Sequence, residues 1–224
     1  QAKQENLTRT LPFTGNIVGE EQVNVHPIEE TGRLIRYLVK EGDRVSKGSA
    51  IALVDRSIEG MEFKPARIIS PISGVVGILY LDKGAMVSPQ VPVAMVVDLD
   101  RVKVEIQVVE RDMSKVRVGQ SAKVRADAYP DTTFAGELVR LSPVMDPLSK
   151  TVKGEIVIDN PRSLLRPGGF ARVDLVIEER KQVLVVPDRA ILEQAGKQVL
   201  FLQEGDRARE VEVETGISQG GRTE

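Results

Sequence analysis

The sequence predicts a mainly β, elongated chain of several small domains, and three observations carry that prediction. At 224 residues it is longer than one average domain. Its apolar residues alternate in short runs punctuated by Gly, Pro and Asp, which is the signature of strands and turns. One strand–turn–strand unit also occurs twice, as "VKEGDRVSKGSAIALV" at 39–54 and "LDKGAMVSPQVPVAMV" at 81–96.

Taken in order, the alternation predicts strands over 33–39, 51–54, 75–81, 93–97, 102–108 and 122–125. Further strands are predicted over 134–141, 152–158, 171–176, 183–186, 198–203 and 208–215. Helix is confined to one turn at Glu110–Lys115 and a second at Pro161–Leu165. The acidic pairs Glu20–Glu21, Glu29–Glu30 and Glu178–Glu179 read as solvated turns and edges.

Composition excludes several classes of function. Thirty-one basic residues stand against 33 acidic ones, for a net charge of −2, which leaves no electrostatic footprint for nucleic acid. Aromatic residues make up 4%, too few for a base-stacking surface. With no cysteine, thiol catalysis, disulfides and thiolate metal sites are excluded. The one histidine, His26, is read as structural, because a metal site needs several converging ligands. The serines have no base near them in sequence, so no active site, cofactor or metal site is expected. No apolar run approaches the ~20 residues of a membrane-spanning helix.

The repeat has a constant offset of 42 residues. Gly32, Gly42, Val45, Ser46, Ala52 and Val54 return as Gly74, Gly84, Val87, Ser88, Ala94 and Val96. In each half a glycine opens a strand, a second glycine makes a turn, and a valine re-enters the core. A unit of about thirty residues cannot bury an adequate core alone. Two units facing each other across a pseudo-twofold can.

Such a repeat resembles the biotinyl/lipoyl fold, a flattened sandwich of two similar halves. In carriers of that fold a modified lysine sits at the tip of the joining hairpin. Here the joining segment is "RSIEGMEFKPAR", residues 56–67, in which Lys64 lies between Phe63 and Pro65. Pro65 restricts Lys64 to extended conformations, and the chain continues for 126 residues past Asp98. A carrier modified on Lys64 therefore stands as an alternative reading, and Lys64 is a cofactor-attachment candidate only under it.

A wider resemblance lies in the order of motifs. The run "ARIISPISGVVGILYLDKGAMVSPQVPVAMVVDLDRVKVEIQVVERDMSKVRVGQSAKVRADAYPDTTFAGELVRLSPVMDP" is similar to the periplasmic adaptor subunits, or membrane fusion proteins, of tripartite efflux pumps. In "TVKGEIVIDNPRSLLRPGGFARVDL", Asn160, Leu165, Pro167 and Gly168 match that family's barrel signature. The later "VVPDRAILEQAGKQVLFLQEGDRAREVEVETG" resembles the start of the membrane-proximal domain in the resistance-nodulation-division (RND) branch.

The resemblance implies a lipoyl-like barrel-sandwich hybrid over 23–98, its halves joined by a short linker at 56–66. It implies a small six-stranded β-barrel within 99–180, drawn from about Val102 to Ile177. A membrane-proximal β-domain combines 1–22 with 181–224. It also implies a non-enzymatic function: a periplasmic adaptor linking an inner-membrane transporter of the RND type to an outer-membrane channel, for export of drugs or other small molecules. Anchorage to the inner membrane would come from an N-terminal lipid or helix not in this chain, and copies would self-associate into a ring. An adaptor of a metal-cation efflux system remains a further alternative, although the first methionine is Met61.

Most relatives insert a long α-helical hairpin between the lipoyl halves. Only eleven residues, 56–66, are available here, about 16 Å even if all were helical. The chain is therefore read as a member lacking the hairpin. Candidate partner contacts are the exposed loop positions Arg111, Asp112 and Lys115 on the helical turn, and Pro130, Asp131 and Asp146 at strand ends.

Overall fold

The computed structural model describes residues 2–28, 31–57, 61, 63–194 and 196–224. Glu29, Glu30, Ile58–Gly60 and Glu62 lie outside them, and with them the reading of the Glu29–Glu30 pair and part of the 56–66 linker.

The chain opens with β1 (Lys3–Gly19), then enters the repeat region through β2 (Gln22–Val25). The first half holds β3 (Gly32–Tyr37), β4 (Arg44–Val45), β5 (Ala50–Asp55) and β6 (Ala66–Ile69). The second half holds β7 (Gly74–Leu79), β8 (Met86–Val87) and β9 (Ala94–Val97). These strands form two four-stranded sheets, in the orders β2-β9-β7-β4 and β6-β5-β3-β8. Each sheet borrows its last strand from the other half. Val45 of β4 pairs with Gly74, and Val87 of β8 pairs with Gly32, the same contact displaced by 42 residues.

The symmetry extends to single hydrogen bonds. Gly42 N donates to Val76 O at 2.8 Å, and Gly84 N donates to Leu34 O at 2.8 Å. Both glycines have left-handed backbone, with φ of +92° and +88°, which a glycine adopts without steric cost. Gly32 and Gly74 serve a different purpose. A Cβ at Gly32 would strike the Asp55 carbonyl, and one at Gly74 the Val97 carbonyl. The entry of β3 can therefore lie against the end of β5, and that of β7 against the end of β9, only because these positions lack a side chain. The exchange seals one core from both halves, with Leu34, Val45, Ile51 and Val54 packed among Val76, Val87, Val93 and Val96.

Beyond the repeat come β10 (Arg101–Val109), a 3-10 turn at Glu110–Lys115, β11 (Ser121–Ala126), β12 (Phe134–Leu141), β13 (Thr151–Asp159) and β14 (Phe170–Pro187). Their order is β1-β10-β13-β12-β11-β14, and β1 pairs back onto β14. This is a closed barrel of six strands, so it leaves no free edges. Only five of those strands lie between Val102 and Ile177; the sixth is the second half of β1. Gly15–Gly19 pairs with Val102–Ile106, and Ile17 is buried among Val104, Ile106, Leu138, Ile156 and Leu175. Residues 15–19 are thus barrel, whereas the sequence groups all of 1–22 with the C-terminal strands.

Two further expectations are corrected. Pro161–Leu165 is not a helical turn. The buried Asn160 side chain organises it instead, donating to Leu99 O (2.8 Å) and Leu165 O (2.9 Å) and accepting from Leu165 N (3.0 Å). A side chain that satisfies these backbone groups competes with helix. It leaves Leu165 as a buried plug in the barrel end. Nor do Glu178 and Glu179 make a turn: they lie within the continuous strand β14, paired with Arg9 and Thr8 of β1. There the β1–β14 ribbon is largely open to solvent, so charged residues do not interrupt it.

The last segment holds β15 (Leu192–Gln194), β16 (Lys197–Glu204), β17 (Arg207–Glu212), β18 (Ser218–Gln219) and β19 (Arg222–Thr223). The first three make a small sheet, and β19 pairs with the end of β14. An Arg222–Glu5 ion pair and a hydrogen bond from Thr223 Oγ1 to Asp188 (2.7 Å) tie this terminal module to the ribbon.

The repeat predicts matched sensitivity in the two halves. Gly32→Ala and Gly74→Ala should each destabilise the chain by about 1–3 kcal/mol in urea unfolding. A change within 0.5 kcal/mol, roughly that of a neutral surface substitution, would show that the close approach is not needed.

Candidate functional site

The lysine of the carrier reading, Lys64, is exposed and stands two residues before β6 begins. His26 follows β2 and places Nδ1 3.1 Å from the Pro89 carbonyl oxygen. Among the described residues no cluster of three or more His, Asp or Glu could hold a metal ion.

The six candidate contact residues separate onto the two ends of the barrel. Pro130 and Asp131 lie in the β11–β12 connection, at the end that faces the lipoyl-like module. Near that end Arg44 of the module pairs with Asp100 of the connection (3.1 Å), which raises the Arg44 guanidinium above its ordinary value. Arg111, Asp112, Lys115 and Asp146 lie at the opposite end, where β1 and β14 run on into the terminal module. There Asp112 is drawn between Lys115 (3.1 Å) and Arg111 (3.6 Å), so its carboxylate is already engaged.

Asp146 is engaged too. Its Oδ1 accepts the amide protons of Ser149 (2.8 Å) and Leu148 (2.9 Å), and Lys150 N donates to Asp146 O (3.0 Å). The turn closes where Asp146 N donates to Thr151 O (2.9 Å), and Thr151 Oγ1 donates to Gln107 of β10 (2.8 Å). The Asp-Pro pair explains why this loop folds locally: aspartate bonds the backbone two and three residues on, and proline fixes the next φ. The outcome is a rigid turn that holds Leu148, 94% exposed, at its apex.

Leu148 is not isolated. Val109, Val118, Val139 and Val144 are also exposed on the strand ends and loops of the same barrel end. Gly119 N bonds Leu138 O, which places Val118 beside Val139, and Val109 pairs with Thr151 at the foot of the turn. Sequence reading picks the charged residues here and passes over the valines and Leu148. Alternation alone assigns apolar residues to a core, and only the barrel geometry shows which of them face outward.

Known proteins share the sandwich and the barrel. The model described as the RND membrane fusion protein barrel-sandwich hybrid domain matches residues 21–99, and the CusB-like β-barrel domain matches residues 101–179. Nodulation protein NolF of Rhizobium meliloti (strain 1021) is 29% identical over 146 residues, 65% of this chain and 38% of its own length. Cation efflux system protein CzcB of Alcaligenes sp. (strain CT14) is 25% identical over 133 residues, 59% of this chain and 25% of its own length. MacA from Actinobacillus actinomycetemcomitans has the same fold, with a TM-score of 0.74 at 19% identity, over 100% of this chain and 94% of that one. The chain spans between a quarter and two fifths of the length of these two curated relatives.

A barrel-sandwich hybrid followed directly by a β-barrel is the domain order of RND-type membrane fusion proteins. The chain belongs to the membrane fusion protein family of RND-type efflux systems. It is a member without the α-helical hairpin, since only ten residues separate Asp55 at the end of β5 from Ala66 at the start of β6.

The Asp146 turn carries a pH signature. The amides of Ser149 and Leu148 hold the Asp146 carboxyl below its ordinary value. Because the folded value is depressed, these bonds are fully present above the unfolded value of about 3.9. They are lost as pH falls through the folded value. The Leu148 and Ser149 amide resonances should titrate with a midpoint below that of an unstructured aspartate; a midpoint at or above it would contradict the turn.

Proposed function

We propose that this chain is the periplasmic adaptor of a tripartite efflux assembly. It joins an inner-membrane transporter of the RND type to an outer-membrane channel and performs no chemistry on the exported molecule. The observation that carries the reading is the path of the chain. β1 leaves the terminal module, passes through the barrel wall and delivers the chain to the lipoyl-like sandwich; β14 returns along it to the same module. One end thus gathers the terminal module with the apolar barrel rim, and the sandwich lies at the other.

In this reading the terminal module is membrane-proximal. The rim carrying Arg111, Lys115 and the Asp146 turn faces the transporter and neighbouring copies, and Pro130 and Asp131 face the sandwich side. Copies stand side by side as a ring around the export path, each contact weak and the whole strengthened by repetition. Anchorage to the inner membrane is supplied by a lipid or helix outside these residues. Drugs or other small molecules are the expected cargo. The names of the relatives span nodulation and cation efflux, so cargo class is not a property shared across them.

The test is crosslinking in intact cells of the native host, with mass spectrometry of everything joined to this protein. An inner-membrane transporter recovered together with an outer-membrane channel is the expected result. Recovery of soluble carboxylase or dehydrogenase subunits, with a mass shift on Lys64, would replace the adaptor by a carrier.

A further inference from the structure

The rigid turn on the barrel rim has a counterpart on the same molecule. In the terminal module an open groove of about 320 Å³ is lined by Leu184, Val186, Ile191, Leu200, Val213 and Glu214. It forms where the end of β14 meets the small β15-β16-β17 sheet, and Leu184 on its wall is 61% exposed. We propose that the Asp146–Lys150 turn of one copy seats Leu148 in this groove of the neighbouring copy, making a head-to-tail contact of the ring. This inference rests on the adaptor reading above.

Three features favour a second copy as the occupant. The turn is held by its own hydrogen bonds before any partner arrives, so docking orders little that was free, and preorganisation of this kind favours binding. Charge is complementary. Lys150, two residues past the apex, makes no ion pair among the described residues, and neither does Glu214 on the groove. Finally, the projection and the groove are different surfaces of one chain, both at the barrel end from which the terminal module extends. Such a pair can close reciprocally between two copies or repeat from copy to copy; copies standing side by side around one export path repeat it, which gives a ring where the rotation closes. Leu148 does not fill the groove of its own chain, since it is almost fully exposed.

These 224 residues contain no cysteine, and with any cysteine outside them replaced by serine the contact is directly testable. Leu148→Cys and Leu184→Cys, both at exposed positions, are introduced together into the full-length protein in the envelope of its native host, and the cells are oxidised. A disulfide forms only if the two Cβ atoms come within about 4.5 Å. The expected result is a ladder of covalent multimers from the double variant, while each single variant stays monomeric; a double variant that stops at a dimer would overturn the repeating contact. Pro130→Cys with Leu184→Cys, which uses the opposite end of the barrel, should give none. Adding Lys150→Glu should lower the ladder yield severalfold, and adding Glu214→Lys to that chain should restore it.

A lysine-reactive crosslinker on the unsubstituted protein separates the failures. Multimers with that reagent but no disulfide ladder would overturn this contact and leave the ring intact. Multimers with neither would overturn the ring and the contact together. Capture of a transporter subunit by the Leu148→Cys variant in place of a second copy would assign the turn to the membrane partner and overturn the proposal.

Discussion

The pairing of β1 with β14 is the constraint on which the rest of the structure depends. It runs from Lys3 opposite Val185 to Asn16 opposite Phe170, with shifts of register near Asn6 and between Arg9 and Thr10. At its inner end it closes the barrel, and at its outer end it is the spine to which β19 is added. A six-stranded barrel lacking that seam would expose two long edges, each a template for aggregation. The same pairing brings residues more than 150 positions apart in sequence side by side. Barrel, ribbon and terminal module therefore depend on the N-terminal strand reaching the C-terminal half.

The sandwich solves a comparable problem by exchange. Neither half of the repeat has enough apolar surface for a core, and each supplies two residues, Arg44–Val45 or Met86–Val87, to complete the sheet of the other. The bulges obey the same offset, falling between Leu34 and Arg36 in one half and Val76 and Ile78 in the other. The pseudo-twofold also explains the orientation of the module. Position 98, where the chain leaves for the barrel, corresponds to position 56, where the chain leaves the first half. The two exits are related by the symmetry of the fold, so the short 56–65 connection leaves by the exit equivalent to the barrel junction.

How much of this was legible in the sequence follows from the range of the interactions concerned. The repeat was legible because glycines at strand entry and at left-handed turns tolerate few replacements, and a fixed offset compounds them. The 3-10 turn at Glu110–Lys115 and the core strands of the barrel were legible from local periodicity. β1 was not, because "KQENLTRTLPFTGNIVG" is polar for half its length and contains Pro12, and its partner is most of a chain away. The unity of β14 was hidden by Glu178 and Glu179, charges that a solvated ribbon accepts and a buried strand would not. At the candidate site the charged residues of the rim were legible as exposed. The Leu148 apex was not, since its exposure follows from the way Asp146 folds the turn around it.

These elements place the lipoyl-like sandwich at one end of the barrel and the terminal module at the other. The central claim is that the chain works by joining other proteins, and accumulation of exported compounds measures that most directly. In the native host with the gene deleted, intracellular retention of a panel of fluorescent efflux substrates should rise. The unsubstituted gene and one carrying Lys64→Ala should restore export equally. Retention unchanged by the deletion, or a Lys64→Ala gene that restores nothing although its protein accumulates, would contradict the account.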